Sequence, residues 1–207
     1  MANASFFNKL TVDVLIAAYR RMGYRLFDTG DYNLNLFGIR NEDDPHSNRF
    51  NDILGVLYKK GGKWILKKYD GTTDPGLDGR IQPINSKGVA ILAPGYHKAA
   101  FKLGYHKGQY RALVQNSPLP LYRDNNKDDK LDFTSKPVPE MAGINFHRAT
   151  ARPGQVSTLV DSWSHGCQCL CGNSDFNEFI QLCETAGKMY GPVFSYALFK
   201  QSEVFPK

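Results

Sequence analysis

The strongest constraint on the fold is a series of short apolar runs separated by turn-forming residues. The clearest is ILGVLYKKGGKWILKKY, residues 53–69, in which two runs flank Gly61-Gly62. Consecutive glycines supply the positive φ angles that a tight turn needs, so this stretch predicts a β-hairpin. Similar runs at 88–93, 110–115 and 192–200 predict further strands. We therefore expect a fold built mainly of β-strands.

Two segments instead repeat apolar side chains every three to four positions, which is typical of amphipathic helices. The first covers residues 11–23, with Thr11 as the N-cap and Gly23 as the stop. The second covers residues 175–186, and we expect Ser174 to cap it.

These elements predict an α+β chain, mainly β, with a helix near the N-terminus and another near the C-terminus. We expect an N-terminal helical segment over residues 1–45, packed on a main domain over residues 46–207.

The charge balance is basic, with 26 Lys and Arg against 20 Asp and Glu and a net charge of +6. A surplus of this kind favours acidic partners such as nucleic acid or an anionic cell wall. The lysines are dispersed and no nucleic-acid-binding motif is present, so we expect no nucleic-acid partner. The N-terminus lacks the pattern of a signal peptide, and no apolar run approaches the ~20 residues of a membrane span. We expect synthesis in the cytoplasm and no membrane span.

Three of the four cysteines lie within the stretch DSWSHGCQCLCG, residues 161–172. Zinc coordination by His165 and these thiols is one interpretation, although structural zinc sites commonly use paired Cys-x2-4-Cys units. Redox chemistry is another, but it usually uses Cys-x-x-Cys at a helix start. The third interpretation is a single reactive thiol. In each case we expect free thiols, because a bridge between such close neighbours would be strained.

The reactive-thiol interpretation assigns the nucleophile to Cys167. Gly166 lets the backbone turn closely and expose the thiol, and nearby N–H groups could stabilise an oxyanion. A cysteine nucleophile also needs a base within reach. His147, at the end of the apolar run GINFHRA, residues 143–149, is positioned to serve as that base.

The pattern His147, a loop, then Ser164-His165-Gly166-Cys167 resembles the signature of the L,D-transpeptidase catalytic domain. Looser similarities to a phage-borne branch of that family extend the resemblance over about residues 30–200. They lie in the segments GDYNLNLFGIRN (30–41), TTDPG (72–76), GYHKGQYRALVQ (104–115) and LYRDNNKDDKLDF (121–133).

The resemblance implies a β-sandwich in which one helix follows the strand of the catalytic cysteine. It also implies that Cys167 is the nucleophile and His147 the general base. Ser164 and His165 would shape and polarise the site, and the backbone around Gly166 and Cys167 would contribute oxyanion donors.

The chain departs from the family pattern at two positions. Cys169 stands where the family usually has Arg or Asn, and Arg148 stands where it often has Gly or Ser. Arg148 either binds a substrate carboxylate or lies in solvent. We also place His106, within residues 104–115, among the substrate-binding residues. Cys169 and Cys171 are interpreted as small buried apolar residues.

A separate acidic segment, DNNKDDKLD, covers residues 124–132. Oxygen donors alternate as in a calcium loop, but the glycine and the final glutamate of such loops are missing. A structural calcium site and a solvated hairpin tip are both open interpretations. The calcium ligands would be Asp124, Asn126, Asp128 and Asp132.

The expected function is that of a cysteine acyl-transfer enzyme acting on peptidoglycan stem peptides through a Cys167 thioester. We expect hydrolysis rather than cross-linking, as in a phage lysin or virion-associated cell-wall hydrolase, with no cofactor needed for catalysis. Such a protein would act in a virion, or at the periplasm or cell wall on infection or lysis, and could contact other virion proteins. The alternative is a non-catalytic cell-wall-binding or structural virion protein with a degenerate site.

Overall fold

A computed structural model describes residues 6–44 and 48–206. The chain is α+β and mainly β, as predicted. Its strands are β1 (Asn35–Arg40), β2 (Asp52–Lys60), β3 (Lys63–Thr72), β4 (Val89–Leu92), β5 (Gly95–His106), β6 (Tyr110–Gln115), β7 (Leu119–Asp124), β8 (Val138–Glu140), β9 (Phe146–Arg148), β10 (Gln168–Leu170) and β11 (Val193–Lys200).

Eight of these strands close into a barrel in the order β1-β11-β5-β6-β9-β10-β3-β2. The predicted hairpin is confirmed, since β2 and β3 pair antiparallel around Gly61 and Gly62 at φ 57° and 74°. Two pairs are parallel, β1 with β11 and β9 with β10. The second of these pairs carries the candidate site.

The other three strands form a small antiparallel sheet in the order β4-β7-β8. Its edge strand β4 lies against the turn that precedes β10, where the carbonyl of Ala90 faces the backbone of Gly166. This sheet therefore forms one wall beside the cysteine-rich segment.

The helices are α1 (Val12–Arg21), α2 (Leu77–Ile81), α3 (Asn173–Tyr190) and α4 (Gln201–Val204). The predicted first helix is confirmed, and its Thr11 side chain accepts a hydrogen bond from the N–H of Val14 at 3.3 Å. It buries Leu15 and Tyr19 against Phe37 and Phe199. The helix thus packs on the face of β1 and β11.

Helix α3 follows β10 and covers the barrel beside the candidate site. Phe179 stacks on Phe146 of β9 with ring centroids 4.3 Å apart, and Phe176 belongs to the same buried cluster. The predicted Ser174 cap is wrong, because the helix begins at Asn173, two residues before the predicted start at 175, with Gly172 as its N-cap. The spacing of apolar residues located the buried face of this helix. Several polar residues in its first turn could each serve as a cap, so the sequence did not define its first residue.

Strand β1 lies in the segment 1–45 that the sequence assigned to a separate helical piece. It pairs with β2 and β11 and is buried throughout, so it is a full barrel strand. The boundary itself, at residues 45 and 46, lies outside the described residues. Within the described ranges, no helix is long and apolar enough to cross a membrane.

Candidate active site

The turn before β10 is built around Gly166, whose φ is +115°. A Cβ added there would lie 2.2 Å from the carbonyl oxygen of Ala90, far inside van der Waals contact. Both the backbone angle and the close approach therefore require glycine. This constraint sets the direction in which Cys167 leaves the turn.

Ser164 fixes the same turn from inside. Its buried hydroxyl donates to the carbonyl of Cys167 at 2.9 Å and accepts from the N–H of Gly166 at 3.1 Å. The side chain therefore holds the backbone on both sides of His165. Of the two backbone groups expected to act as oxyanion donors, at Gly166 and Cys167, the first therefore already donates to Ser164.

The Cys167 thiol is the most accessible of the four, since the other three are buried. Its Sγ accepts from the N–H of Asn145 at 3.4 Å and donates to the carbonyl of Gly143 at 3.6 Å. Loss of water around the thiolate raises the thiol pKa above its ordinary value, and the Asn145 N–H partly offsets this. The resting thiol is therefore protonated at neutral pH.

The parallel pairing of β9 and β10 places Cys169 opposite His147. The Sγ of Cys169 lies 3.8 Å from His147 Nδ1. Cys167 is two residues earlier in the chain, about 7 Å along an extended strand. In residues 6–44 and 48–206, no hydrogen bond joins Cys167 to His147. The structure thus places both residues in one region without a resting thiol–imidazole contact.

Hydrogen bonding defines the tautomer of His147. Its Nδ1 lies 2.9 Å from the carbonyl of Arg148, which can only accept, so Nδ1 carries the proton in the neutral ring. The unprotonated nitrogen is then Nε2. Burial, followed by the neighbouring His106, lowers the pKa of His147 to about 3. The imidazole is therefore a neutral, weak base at rest.

His106 stacks on this ring, with centroids 4.1 Å apart. Asn145 orients it: Oδ1 accepts from the N–H of Gln115 at 3.1 Å, which turns Nδ2 toward His106 Nδ1 at 3.1 Å. Because that amide donates, His106 carries its proton on Nε2. His106 is buried beside the proposed base, and burial lowers its pKa.

Arg148 packs on aromatic rings. Its guanidinium lies 4.2 Å from the ring centroid of Tyr110 and 5.9 Å from that of Phe176. The Tyr110 hydroxyl in turn donates to the carbonyl of Arg148 at 3.4 Å. The sequence left two interpretations open for Arg148, a substrate contact or a position in solvent. The structure adds a third role, packing of the guanidinium on aromatic rings.

Asn145, Tyr110 and Lys107 belong to this region although the sequence analysis missed them. Lys107 lies in the β5–β6 turn, directly after His106, and its positive charge lowers the pKa of Cys167 and of His147. The alternation of side chains along the strands that carry His106 and His147 could have indicated that Tyr110 and Asn145 lie near the site. Nothing in the sequence indicates that Lys107 lies near the thiol.

His165 lies between two clefts. One includes Asn85, Met141 and Ala142, and the other includes Asp78 and Ser162. Burial lowers its pKa, and its Nδ1 has no hydrogen-bond partner in the described residues. The first cleft adjoins Gly143, which contacts the Cys167 thiol.

The remaining two cysteines of the cluster are buried apolar residues, as predicted. Cys169 and Cys171 are 0% and 2% exposed and pack with Phe50, Ala149 and Val160. Within the described ranges, no group of three or more His, Cys, Asp or Glu side chains is arranged to hold a metal ion.

The acidic segment is held by its own backbone. Asp124 accepts from the N–H groups of Asn126 and Asp132 at 3.3 and 3.1 Å. Asn126 accepts from the N–H of Asp128 at 3.2 Å, and Asp128 accepts from that of Lys130 at 2.8 Å. These are local turns of the kind that Asp and Asn form. A structural calcium site and a solvated hairpin tip both stay predictions for this loop.

The comparisons with known proteins give no identification. No protein-family model, curated protein or solved structure matches the chain. The resemblance to L,D-transpeptidases therefore rests on His147 and residues 164–167, together with the looser similarities.

Proposed function

We propose that the chain is an L,D-transpeptidase-like cysteine enzyme that acts on peptidoglycan stem peptides. The observation that carries the proposal is the location of Cys167. Its accessible thiol follows a glycine-dependent turn fixed by Ser164, beside strand β9, which carries His147. The resemblance implies a β-sandwich, whereas the structure has a closed barrel with a three-stranded sheet beside it. The fold therefore adds no independent support for the proposed function.

The reaction begins from a neutral thiol and a neutral imidazole. Cys167 loses its proton to Nε2 of His147 as its sulfur attacks the peptide carbonyl, so that proton transfer accompanies bond formation. The resulting imidazolium returns the proton to the departing amine, which leaves a thioester on Cys167. Water then attacks this thioester, giving a carboxylic acid and the free thiol.

Two features of the site assist these steps. The Cys167 N–H is the candidate oxyanion donor, because the Gly166 N–H is occupied by Ser164. Lys107 supplies positive charge near the sulfur, which favours the thiolate and a developing oxyanion alike. No hydrogen bond joins Cys167 to His147 within the described residues, so substrate binding must bring the two side chains together. Catalytic hydrogen bonds often tighten only in the complex.

We propose hydrolysis rather than cross-linking, in a phage lysin or virion-associated hydrolase. The partly exposed thiol is open to water as acceptor. The net charge of +6 favours approach to an anionic wall, an effect that weakens with salt.

The experiment is incubation with purified muropeptides, or with a carbapenem, followed by intact-protein mass spectrometry. We expect an acyl adduct on Cys167 and hydrolysed stem peptides, both abolished in Cys167→Ala. Cys183→Ala is the matched control, because this buried thiol lies in α3 and should leave both results unchanged.

A second candidate is a non-catalytic wall-binding or structural virion protein. The contact between His147 and Cys169 favours it, because a thiol other than Cys167 lies at the proposed base. Absence of adduct and product, with Cys167→Ala equal to wild type, would establish this alternative over the enzyme.

A further inference from the structure

A separate cavity, of about 260 Å³, is lined by none of the residues of the cysteine turn. It forms where the end of β1, the residue before β5, strand β7 and the acidic segment meet. Its wall includes Arg40, Pro94, Tyr122, Leu131 and Phe133. Ligand pockets are typically ~300–1,000 Å³, so this cavity suits a compact group such as a single sugar ring.

Arg40 is the buried polar residue in the wall of this cavity and is only 4% exposed. Its Nε lies 2.7 Å from Asp74 and 3.1 Å from the hydroxyl of Thr73, and Nη2 donates to the carbonyl of Thr73 at 3.1 Å. Nη1, however, has no hydrogen-bond partner in the described part of the chain. A buried donor without an acceptor is costly, and a ligand oxygen would remove that cost.

The cavity also has an aromatic wall. The Phe133 ring lies 5.5 Å from the Arg40 guanidinium and meets Tyr122 edge-on at 5.5 Å. Phe133 nevertheless remains 40% exposed, whereas Leu131, from the same loop, is buried. The loop therefore presents a partly exposed aromatic face beside the guanidinium of Arg40.

The charges around the cavity favour a neutral ligand. Arg40 is already paired with Asp74, and the other lining charges are Lys200, Glu42 and Asp44. An anion would meet carboxylates and a cation would meet Arg40. A neutral molecule with a carbonyl, hydroxyl groups and one apolar face satisfies all of these groups.

We propose that this cavity binds an N-acetylated amino sugar. The acetamido carbonyl accepts from Arg40 Nη1, the C–H face of the ring lies on Phe133, and hydroxyl groups reach Asn41 and the charged side chains at the rim. The proposal does not depend on the chemistry of Cys167, and it gives the chain a contact with glycan separate from any contact with stem peptide.

The test is calorimetric titration of the full chain with N,N′,N″-triacetylchitotriose, with cellotriose as the sugar that lacks acetamido groups. We expect the acetylated sugar to bind at least about tenfold more tightly, because only it supplies the carbonyl. Phe133→Ala should weaken binding by about tenfold through loss of the stacking face. This variant is preferred to one at Arg40, whose buried ion pair supports the fold.

Two further variants test whether sugar binding depends on this cavity. Tyr105→Ala is the matched control, since Tyr105 is also exposed and also lies 5.5 Å from an arginine, Arg111, but does not line the cavity. Cys167→Ala should bind the sugar normally, even if all acyl transfer is lost. Absence of binding at millimolar sugar, equal affinity for cellotriose, or full affinity in Phe133→Ala would each overturn the proposal.

Discussion

His147 and His106 lie with their imidazole rings stacked, 4.1 Å between centroids and 25° between planes. A proton on either ring would place a charge against its neighbour in a buried setting. Burial and this neighbour together hold the pKa of His147 at about 3, against an ordinary value of 6.5. Both rings are therefore neutral in the folded protein, and keeping His147 neutral lowers the stability of the fold in acid.

The first prediction concerns stability in acid. Below pH 6.5 the unfolded chain takes up a proton at His147, whereas the folded chain does not until about pH 3. Stability from this group is therefore present above pH 6.5 and falls as the pH decreases toward 3. Between pH 7 and pH 5 the loss should be about 2 kcal/mol.

Urea unfolding of wild type and His147→Gln at both pH values measures this loss as a difference between the two proteins. The comparison is needed because Asp52, whose pKa is raised to about 7 by burial and by Asp74, acts in the opposite direction in both. An identical pH dependence in the two proteins would contradict the assigned environment of His147.

Local patterns predicted the hairpin at 53–69, the strands at 88–93, 110–115 and 192–200, and the two longest helices. Strands β1, β5, β7 and β8 were not predicted. The alternation at 53–69 and the glycine pair at its turn required no knowledge of the rest of the chain. The barrel was not foreseen, because its closure depends on β1 joining β11, which lies about 160 residues later. Such long-range pairing leaves no local pattern in the sequence.

The same distinction applies to the candidate site. Gly166 and Ser164 act within one turn, and their importance could be inferred from adjacent residues. The engagement of the Gly166 N–H and the closeness of Cys169 to His147 depend on three-dimensional geometry. Lys107, 60 residues before Cys167 in the chain, acts on the thiol only because the folded chain brings the β5–β6 turn near it.

The second prediction concerns the serine of the turn. Ser164→Ala removes two hydrogen bonds and leaves the N–H of Gly166 without its acceptor, so we expect a loss of about 1–3 kcal/mol. Ser162→Ala, two residues away and exposed, should change stability by less than about 0.5 kcal/mol. Chemical denaturation of both variants gives the comparison, and equal effects would show that the turn does not depend on Ser164.

The third prediction concerns glycines at positive φ. Gly166→Ala adds a Cβ that would collide with the Ala90 carbonyl, whereas Gly154→Ala, at φ +72°, meets nothing within 4 Å. We expect Gly154→Ala to cost about 1 kcal/mol from backbone strain and Gly166→Ala to cost more than about 3 kcal/mol. Melting temperatures and yields of folded protein will rank them. Similar stability in the two variants would show that Gly166 is not tightly confined.

The fourth prediction concerns the acidic segment. Asp124, Asn126 and Asp128 already accept hydrogen bonds from the loop backbone, so the loop is held without an ion. We expect the melting temperature to be the same in calcium and in chelator. A rise of several degrees with calcium, lost in Asp128→Asn, would instead establish the calcium site suggested by the sequence.

The fifth prediction concerns the reactivity of the thiols. Cys167 is the accessible cysteine, whereas Cys169, Cys171 and Cys183 are buried, so one equivalent of iodoacetamide should label Cys167 in the folded protein. Only the thiolate reacts, and the pKa of this thiol lies above its ordinary value of 9.0. The labelling rate should therefore rise about tenfold per pH unit from pH 7 to 9, with no plateau. A plateau near neutral pH would instead reveal a preformed thiolate–imidazolium pair.

Lys107→Gln tests the electrostatic part of the same prediction. Because the ammonium group lowers the thiol pKa, its removal should slow labelling about two- to threefold at low salt. Added salt should reduce the difference, since Lys107 is exposed and its field is screened. Lys102→Gln, an exposed lysine on the same hairpin, serves as the control and should label like wild type. A salt-independent loss in Lys107→Gln would point to altered hairpin structure rather than to charge.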